Sequence, residues 1–263
     1  MKPNYENWMP KWMVVGLFAA TGVLLAGAVA FLIPTILVSP FYAIGLAACT
    51  LGCGLCLWLS ILFEKMRIAF DYDGDLHIMK NVAEGTVRYV KLTKGQKGLD
   101  VGCGSGALTI ALAKLYPEAE VVGVDRWGKE YASFSKTLCE NNAKAEGVSN
   151  VNFMQGNALS LPFPDEAFDA IVSNYVYHNI PSRDRQSILL ETLRTLKKGG
   201  SFAIHDIFSK GKYGDIESFV EKLKGMGYRE VELIDTTDGL FFSDKKEAKS
   251  VALQASRLLR GIK

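Results

Sequence analysis

The 263-residue chain has no Asp, Glu, Lys, Arg or His between Lys11 and Glu64. A transmembrane helix needs roughly 20 consecutive apolar residues, so this charge-free stretch is long enough for two of them. Residues that favour a turn lie near its middle, namely Pro34, Ser39 and Pro40. We therefore predict a membrane anchor over residues 1–67, with two transmembrane helices at about 12–33 and 41–63.

Two other interpretations of the N-terminal stretch fit less well. A signal peptide has one short apolar region and a small-residue cleavage site, which leaves the second apolar segment unexplained. A buried hairpin of a soluble protein would show a polar face. Basic residues flank the stretch on both sides and are absent from the predicted turn: Lys2, Lys11, Lys65 and Arg67. Because positive flanks stay in the cytoplasm, we predict an integral membrane protein whose C-terminal part faces the cytoplasm.

Cysteine is also scarce, with five residues in the whole chain. Cys49, Cys53 and Cys56 share a helical spacing inside the second apolar segment, with no second Cys pair and no His beside them. We interpret them as packing residues and expect no metal site. Cys103 and Cys139 are isolated in the sequence. This usage implies no disulfide framework and agrees with a reducing compartment.

The chain has no strong excess of charge of either sign, since 30 Lys and Arg face 28 Asp and Glu. A nucleic-acid-binding domain normally carries a clear basic excess on one face. We therefore expect no nucleic-acid partner.

Downstream of the anchor, strand and helix patterns alternate, which is typical of a parallel sheet covered on both faces. We predict an α/β, doubly wound Rossmann-like domain over residues 68–263. Its predicted strands are Gly98–Gly102, Val121–Asp125, Val151–Gln155, Phe168–Ser173, Ser201–His205 and Tyr228–Ile234. Its predicted helices are Ala107–Leu115, 129–146, Ser182–Leu196 with Ser182 as N-cap, and Glu217–Met226. The tail from Lys245 fits either a helix or a seventh strand at Val251–Ser256.

A glycine-rich loop follows the first of these strands, in the letters LDVGCGSGALTIALAK from Leu99 to Lys114. Such a loop brings the backbone close to a ligand at the start of a helix. The letters GCGSGA fit the Ala-ended dinucleotide fingerprint. The letters DVGCGSG fit the loop that holds S-adenosylmethionine. The loop alone leaves both ligands open.

Polar residues at the strand ends distinguish the two ligands. Asp100 lies just before the loop, where a carboxylate can anchor an amino group. Asp125 ends the second strand and can accept from ribose hydroxyls, but dinucleotide enzymes place an acid there too. Asn157 and Ala158 follow the third strand, where an amide and a backbone N–H can pair with an adenine edge. This combination favours S-adenosylmethionine.

Five segments together resemble the class I S-adenosylmethionine-dependent methyltransferases, and in particular the ubiquinone/menaquinone-type branch. They stand in that family's order and spacing: Asp100–Gly106, Val121–Asp125, Gly156–Ala158, Leu161–Asp169 and Leu196–Gly200. The letters LPFPDEAFDAIVSN and LKKGGSFAI are especially similar, and the resemblance covers roughly Ile78–Lys263. The family usually has Asp where this chain has Asn157, so we expect weaker or retuned adenine binding.

The resemblance implies a cofactor site for S-adenosyl-L-methionine. The methionine end would be lined by Asp100, Gly102, Cys103, Gly104 and Gly106. Asp125 would hold the ribose. Arg126 or Trp127 would cover the adenine, and Asn157 and Ala158 would lie at its edge. Ser173 and Asn174 would lie beside the sulfonium. Two simpler interpretations stay open, because Asp125 can cap the next helix and Asn157 can close a turn.

Catalytic candidates follow the fourth and fifth strands. Methyl transfer from a sulfonium mainly requires alignment and exclusion of water, and a base only when the acceptor arrives protonated. We consider Tyr175, Tyr177, His178 and the pair His205-Asp206, with His178, Tyr177 and His205 as catalytic candidates. A histidine can serve as base for a phenol or a thiol. The alternative is that His178 packs within its loop and that His205 is structural.

The sequence as a whole predicts a membrane-anchored methyltransferase of a small, apolar or membrane-partitioned acceptor. The segment FDYDGDLHIM from Phe70 to Met79 would close over cofactor and acceptor through Tyr72, Asp73 and His77, or would serve as an interfacial linker. Two rival functions remain on similar folds. One is a nicotinamide-dependent oxidoreductase, and the other is a catalytically silent, membrane-tethered binding protein.

Overall fold

The computed structural model describes residues 2–263, apart from the side chain of Glu130. The chain divides into two compact units. Residues 7–70 form a helical unit, whereas residues 2–6 belong with residues 71–263 in a second unit. The first few residues therefore pack with the part of the chain that follows the apolar helices.

The helical unit consists of two long apolar helices, α1 (Lys11–Leu37) and α2 (Ala43–Ala69), joined through a 3-10 turn at Pro40–Tyr42. The helices are in close contact, since a Cβ built on Gly45 would lie 2.9 Å from the ring of Phe31. Each is long and apolar enough to cross a membrane, and only 6% of each apolar window is buried. The core helix of a soluble protein would be mostly buried.

The turn between the helices starts later than the sequence predicts. Pro34 lies inside α1, and the N–H groups of Val38 and Ser39 both donate to its carbonyl oxygen. A proline removes a single backbone donor, and in this last turn the helix continues to Leu37 despite that loss.

The second unit contains a seven-stranded mixed sheet of order β3-β2-β1-β4-β5-β7-β6. Its strands are β1 (Lys97–Val101), β2 (Glu120–Asp125), β3 (Val151–Gln155), β4 (Phe168–Asn174), β5 (Leu196–Ile207), β6 (Arg229–Asp235) and β7 (Ser256–Ile262). The doubly wound α/β fold class is confirmed. The predicted parallel arrangement holds for β1 to β5, whereas β7 runs antiparallel to β5 and β6. The direction of β7 could not be predicted, because a strand buried on both faces has the same apolar pattern in either direction.

Seven helices accompany this sheet in the described part of the second unit. They are α3 (Ile78–Thr86), α4 (Ala107–Leu115), α5 (Lys136–Ala145), α6 (Arg185–Arg194), α7 (Lys210–Tyr213), α8 (Ile216–Gly225) and α9 (Lys245–Ser250). The bounds of α4 and β3 agree with those predicted. The tail forms both α9 and β7, and the seventh strand predicted at Val251–Ser256 is wrong in its bounds, since β7 begins only at Ser256.

Two predicted helices are shorter in the structure because polar caps start them later. The helix expected over 129–146 begins at Lys136, where the Ser135 hydroxyl accepts from the N–H of Leu138. The helix expected from Ser182 begins at Arg185, with Asp184 as its N-cap. A side-chain cap satisfies N–H groups that the first helical turn leaves unpaired.

The two faces of the sheet carry separate apolar clusters. Side chains of α6 and α8 pack around Leu99, Ile171 and Phe202 on one face. Side chains of α3 and α4 pack around Val121 and Val172 on the other. Because β1 to β5 are parallel, their carboxyl ends meet at one edge of the sheet. The predicted site residues follow those ends.

Candidate cofactor and acceptor site

The loop between β1 and α4 requires glycine at three positions. Gly102, Gly104 and Gly106 have positive φ angles of 75°, 54° and 87°, a region that other residues rarely adopt. A Cβ at Gly102 would also lie 2.2 Å from Cγ2 of Val176. The loop therefore needs glycine both for its conformation and for a close approach.

Asp100 is a buried carboxylate with one satisfied oxygen. Its Oδ2 accepts from the Thr109 hydroxyl at 2.6 Å, whereas Oδ1 is buried and has no hydrogen-bond partner among the described residues. Burial raises the pKa of Asp100 to about 7, and the charge of Asp125 adds to the rise although the Thr109 hydrogen bond opposes it. A buried acceptor without a partner is costly, so this oxygen is free to accept from a donor outside the described chain.

Asp125 lies at the end of β2 and holds the glycine loop. Its Oδ2 accepts from the N–H of Gly104 at 2.9 Å, and its Oδ1 accepts from the N–H of Trp127 at 2.7 Å. The Trp127 indole N–H in turn donates to the carbonyl of Gly104 at 2.9 Å. Each carboxylate oxygen retains a second lone pair for hydroxyl donors. Arg126, between these two residues, has an exposed side chain.

The back of the loop is held by a buried thiol. Cys139 Sγ lies 3.2 Å from the carbonyl oxygen of Gly104. Cys103, inside the loop, is also buried, and burial together with neighbouring Cys139 raises its pKa well above the ordinary value. Cys103 is therefore a neutral thiol that packs from the loop into the apolar cluster around Cys139 and Phe153.

Asn157 follows β3 and closes a turn. Its Oδ1 accepts from the N–H of Leu159 at 3.0 Å, and the N–H of Ser160 donates to its carbonyl. The end of β3 adjoins β2, because the N–H of Gly156 donates to the carbonyl of Asp125 at 2.9 Å. The side-chain oxygen of Asn157 thus stabilises the turn. Ala158, the next residue, is half-buried.

His178 and Asp206 form a pair across the ends of β4 and β5. His178 Nδ1 lies 2.5 Å from Asp206 Oδ1, and the backbone N–H of Tyr177 donates to Asp206 Oδ2 at 2.8 Å. Burial alone would raise the pKa of Asp206, but its hydrogen bond and charge pairing with His178 hold that pKa below its ordinary value. The aspartate is fully buried, whereas 13% of the His178 side chain is exposed.

The family follows from comparison with known proteins. A model of the methyltransferase domain matches residues 92–242, which include the glycine loop, Asp125, Asn157 and the His178–Asp206 pair. The chain belongs to this methyltransferase family. The predicted resemblance to class I methyltransferases is thereby confirmed.

Relatives of this methyltransferase domain include bacterial quinone-type enzymes. It is 35% identical to demethylmenaquinone methyltransferase of Geobacillus stearothermophilus over 146 residues, which are 54% of this chain and 56% of the relative. It is 38% identical to the enzyme of the same name from Geobacillus kaustophilus over 146 residues, 53% and 58% of the two chains. The chain thus spans about half the length of the curated relatives it matches.

Solved structures show the fold of the methyltransferase domain. The 4+2 cyclase SpnF matches with a TM-score of 0.53 and 20% identity, covering 69% of this chain and 80% of SpnF. Phosphoethanolamine N-methyltransferase 2 of Haemonchus contortus, in complex with S-adenosyl-L-methionine, matches with a TM-score of 0.51 and 19% identity, covering 77% and 56%. Because one of the two is named a cyclase, this fold by itself does not specify the reaction.

The remaining predicted site residues of the methyltransferase domain make contacts inside the protein. Ser173 donates from its hydroxyl to the carbonyl of Val101 at 2.8 Å and so ties β4 to β1. Tyr177 is fully buried, and its hydroxyl lies 2.9 Å from the Thr192 hydroxyl.

Both ring nitrogens of His205 are occupied. Nδ1 lies 2.9 Å from Oδ1 of Asn174 and Nε2 lies 2.9 Å from the Thr236 hydroxyl. Burial lowers the pKa of His205 to about 3, although the charge of Asp206 opposes the shift. His205 is therefore neutral at physiological pH and braces Asn174 at the end of β4.

The pairing of Asp206 with His178 is not evident from the sequence. In the sequence, Asp206 is a candidate only as the neighbour of His205. The available signal is a charged residue inside the apolar strand AIHDIF, since a buried charge almost always has a partner. Thr109 and Asn142 are not evident from the sequence either, because they lie on helix faces that carry no motif.

Proposed function

We propose that the protein is a membrane-anchored, S-adenosyl-L-methionine-dependent methyltransferase of a small, lipid-soluble acceptor. The observation that carries the proposal is the buried Asp100 Oδ1, which has no partner in the described chain. Asp100 lies next to the loop Gly102–Gly106, whose positive φ angles require glycine at three positions. The residues present fit a ligand that brings a cationic amino group to Asp100, as S-adenosyl-L-methionine does.

Four parts of the chain would hold this cofactor. Asp100 would accept from its amino group, the loop Gly102–Gly106 would line the methionine chain, and Asp125 would accept from the ribose. Asn157 and the N–H of Ala158 would border the adenine. When bound, S-adenosyl-L-methionine supplies a methyl group that its sulfonium already activates.

His178 is the proposed base for an acceptor that arrives as a hydroxyl. With its Nδ1 proton donated to Asp206, the imidazole presents Nε2 as a proton acceptor. Asp206 is itself fixed by backbone N–H groups, so the ring is held in one tautomer and orientation. Tyr177 and His205 have their polar atoms occupied, and the proposal gives them structural roles.

The acceptor class follows from the relatives and from the apolar helices. Matching relatives are named for demethylmenaquinone, and we extend that class to a quinone-like, membrane-partitioned acceptor here. The anchor proposal, residues 1–67 before a catalytic domain at 68–263, rests on the two apolar helices. The basic flanks support a catalytic domain on the cytoplasmic side.

One binding experiment tests the cofactor. The full chain in detergent should be stabilised against thermal unfolding by S-adenosylhomocysteine, because a ligand of the folded state raises the melting temperature. NADH should leave the melting temperature unchanged. Stabilisation by NADH in place of S-adenosylhomocysteine would favour the oxidoreductase. Binding without turnover, on a panel of quinone-like and extracted lipid acceptors with labelled cofactor, would favour the silent binding protein.

Replacing Asn157 by Asp should tighten S-adenosylhomocysteine binding. The carboxylate keeps an acceptor for the N–H of Leu159 and gives the adenine amino group a second acceptor in place of an amide donor. One additional hydrogen bond corresponds to roughly threefold to tenfold in Kd, measured by calorimetry. Asn157→Ser, which keeps only the turn acceptor, is the control. An unchanged Kd in Asn157→Asp would remove Asn157 from the adenine site.

A further inference from the structure

Residues 2–6 precede the first apolar helix in the sequence and pack on residues 71–263, the catalytic unit. These five residues are the N-terminal strap. Tyr5 anchors it, since only 5% of its surface is exposed. Its ring joins an apolar cluster that includes Cys103 in the glycine loop and Cys139 on α5. The strap thus borders the same loop that would hold the cofactor.

Tyr5 of the strap also contacts Glu146 and Tyr72, and Tyr72 lies just after the helical unit in the sequence. The Tyr5 hydroxyl donates to Glu146 Oε1 at 3.0 Å, and Lys114 pairs with the other carboxylate oxygen of Glu146. The Tyr5 and Tyr72 rings lie 4.2 Å apart between centroids. Residues on both sides of the helical unit in the sequence therefore meet on one surface of the catalytic unit.

Asn142 on α5 links the strap to the glycine loop. Its Oδ1 accepts from the backbone N–H of Asn4 at 2.8 Å, and its Nδ2 donates to the carbonyl of Asn4 at 2.9 Å. The same Nδ2 donates to the carbonyl of Ser105 at 3.0 Å. Asn142 is only 2% exposed, and the three hydrogen bonds of its side-chain amide all go to the strap and the loop.

Loss of the Asn4 contacts would leave the Asn142 oxygen and one of its N–H groups without their partners in the protein. An unpaired buried amide rotates or draws in water to regain partners, and either change weakens its bond to Ser105. Ser105 lies between Gly104 and Gly106, whose conformation shapes the loop. Contacts of the strap therefore reach the cofactor loop through one side chain.

We propose that the N-terminal strap positions the cofactor loop through Asn142, so that cofactor affinity depends on residues that precede the first apolar helix. The inference rests on the proposed function, because it concerns affinity for the same cofactor. Asn142 acts as a positioning residue, since its contacts are with Ser105 and the strap.

The test compares two substitutions at one strap residue in the full chain in detergent. Asn4→Pro removes the N–H that donates to Asn142, whereas Asn4→Ala keeps that N–H and loses only the side chain. Asn4→Pro should weaken S-adenosylhomocysteine binding by roughly threefold to tenfold, and Asn4→Ala should leave the Kd unchanged. Tyr5→Ala should weaken binding similarly, with Tyr5→Phe, which keeps the ring, as its control.

A double-mutant cycle separates positioning from general destabilisation. If the strap acts through Asn142, Asn4→Pro should change the Kd little when Asn142→Ala is already present. Kd is measured well below the melting temperature of each variant, where a purely stabilising contact would not alter it. Unchanged Kd values in Asn4→Pro and Tyr5→Ala, or fully additive effects in the cycle, would overturn the inference. Failure of the wild-type chain to bind S-adenosylhomocysteine would instead overturn the proposed function, and the inference with it.

Discussion

Replacing His178 by Ala is expected to lower kcat by a factor of about 100 to 10,000, the usual contribution of a general base. The expected loss is confined to kcat because the proposed role of His178 is to take a proton from the acceptor. The cofactor contacts, by contrast, run through β1, β2 and β3. S-adenosylhomocysteine affinity should therefore stay within about twofold of the wild-type value. Initial rates with a hydroxylated quinone-like acceptor, together with calorimetric Kd values, measure both quantities.

Three matched variants make this result specific to His178. His178→Asn offers an amide N–H that can replace Nδ1 as the donor to Asp206, but it has no atom in the place of Nε2. It should be as inactive as His178→Ala while melting nearer to the wild type. Tyr177→Phe and His205→Gln each disturb a structural hydrogen bond and should retain kcat within about threefold. Full activity in His178→Asn, or an equal loss in Tyr177→Phe, would show that His178 is not the base.

The parts of the site that the sequence predicts well are those determined by local backbone geometry. Gly102, Gly104 and Gly106 are recognisable because positive φ angles demand glycine. The bounds of α4 follow directly, since the helix begins where that loop ends. The position of Asp125 is also predictable, because it is the last residue of β2 and ligands of this fold class bind at the carboxyl ends of the strands.

The parts that the sequence does not predict depend on partners far away along the chain. Asp206 lies 28 residues from His178, and Asn142 lies 138 residues from Asn4. No spacing rule connects such residues, so their pairing needs coordinates. The strap shows the same limit most clearly, because a boundary at 67/68 separates residues 2–6 from the unit on which they pack.

Replacing Asp100 by Asn is expected to stabilise the free protein while removing most of its cofactor affinity. Burial raises the pKa of Asp100 to about 7 from 3.8, and each unit corresponds to about 1.4 kcal/mol. The ionised side chain thus costs the free protein on the order of 4 kcal/mol at pH 8. The amide in the Asp100→Asn variant would carry no charge and could still accept from the Thr109 hydroxyl. At about 2–4 °C per kcal/mol, and with part of the gain offset by the amide's unpaired N–H groups, we expect the melting temperature at pH 8 to rise by about 5–10 °C.

The affinity of Asp100→Asn for S-adenosylhomocysteine should fall by roughly 10- to 100-fold, because a charge-assisted hydrogen bond to the ligand's amino group is lost. The pH dependence provides the control. Since the folded pKa lies above the unfolded value, the stability contributed by protonated Asp100 is full below about 4 and is lost as the pH rises through about 7. Affinity for S-adenosylhomocysteine should increase over that same rise, as the carboxylate ionises. Both trends should disappear in Asp100→Asn. If the variant binds as the wild type does across pH 6–8, the buried carboxylate serves stability alone and the cofactor's amino group must be held elsewhere.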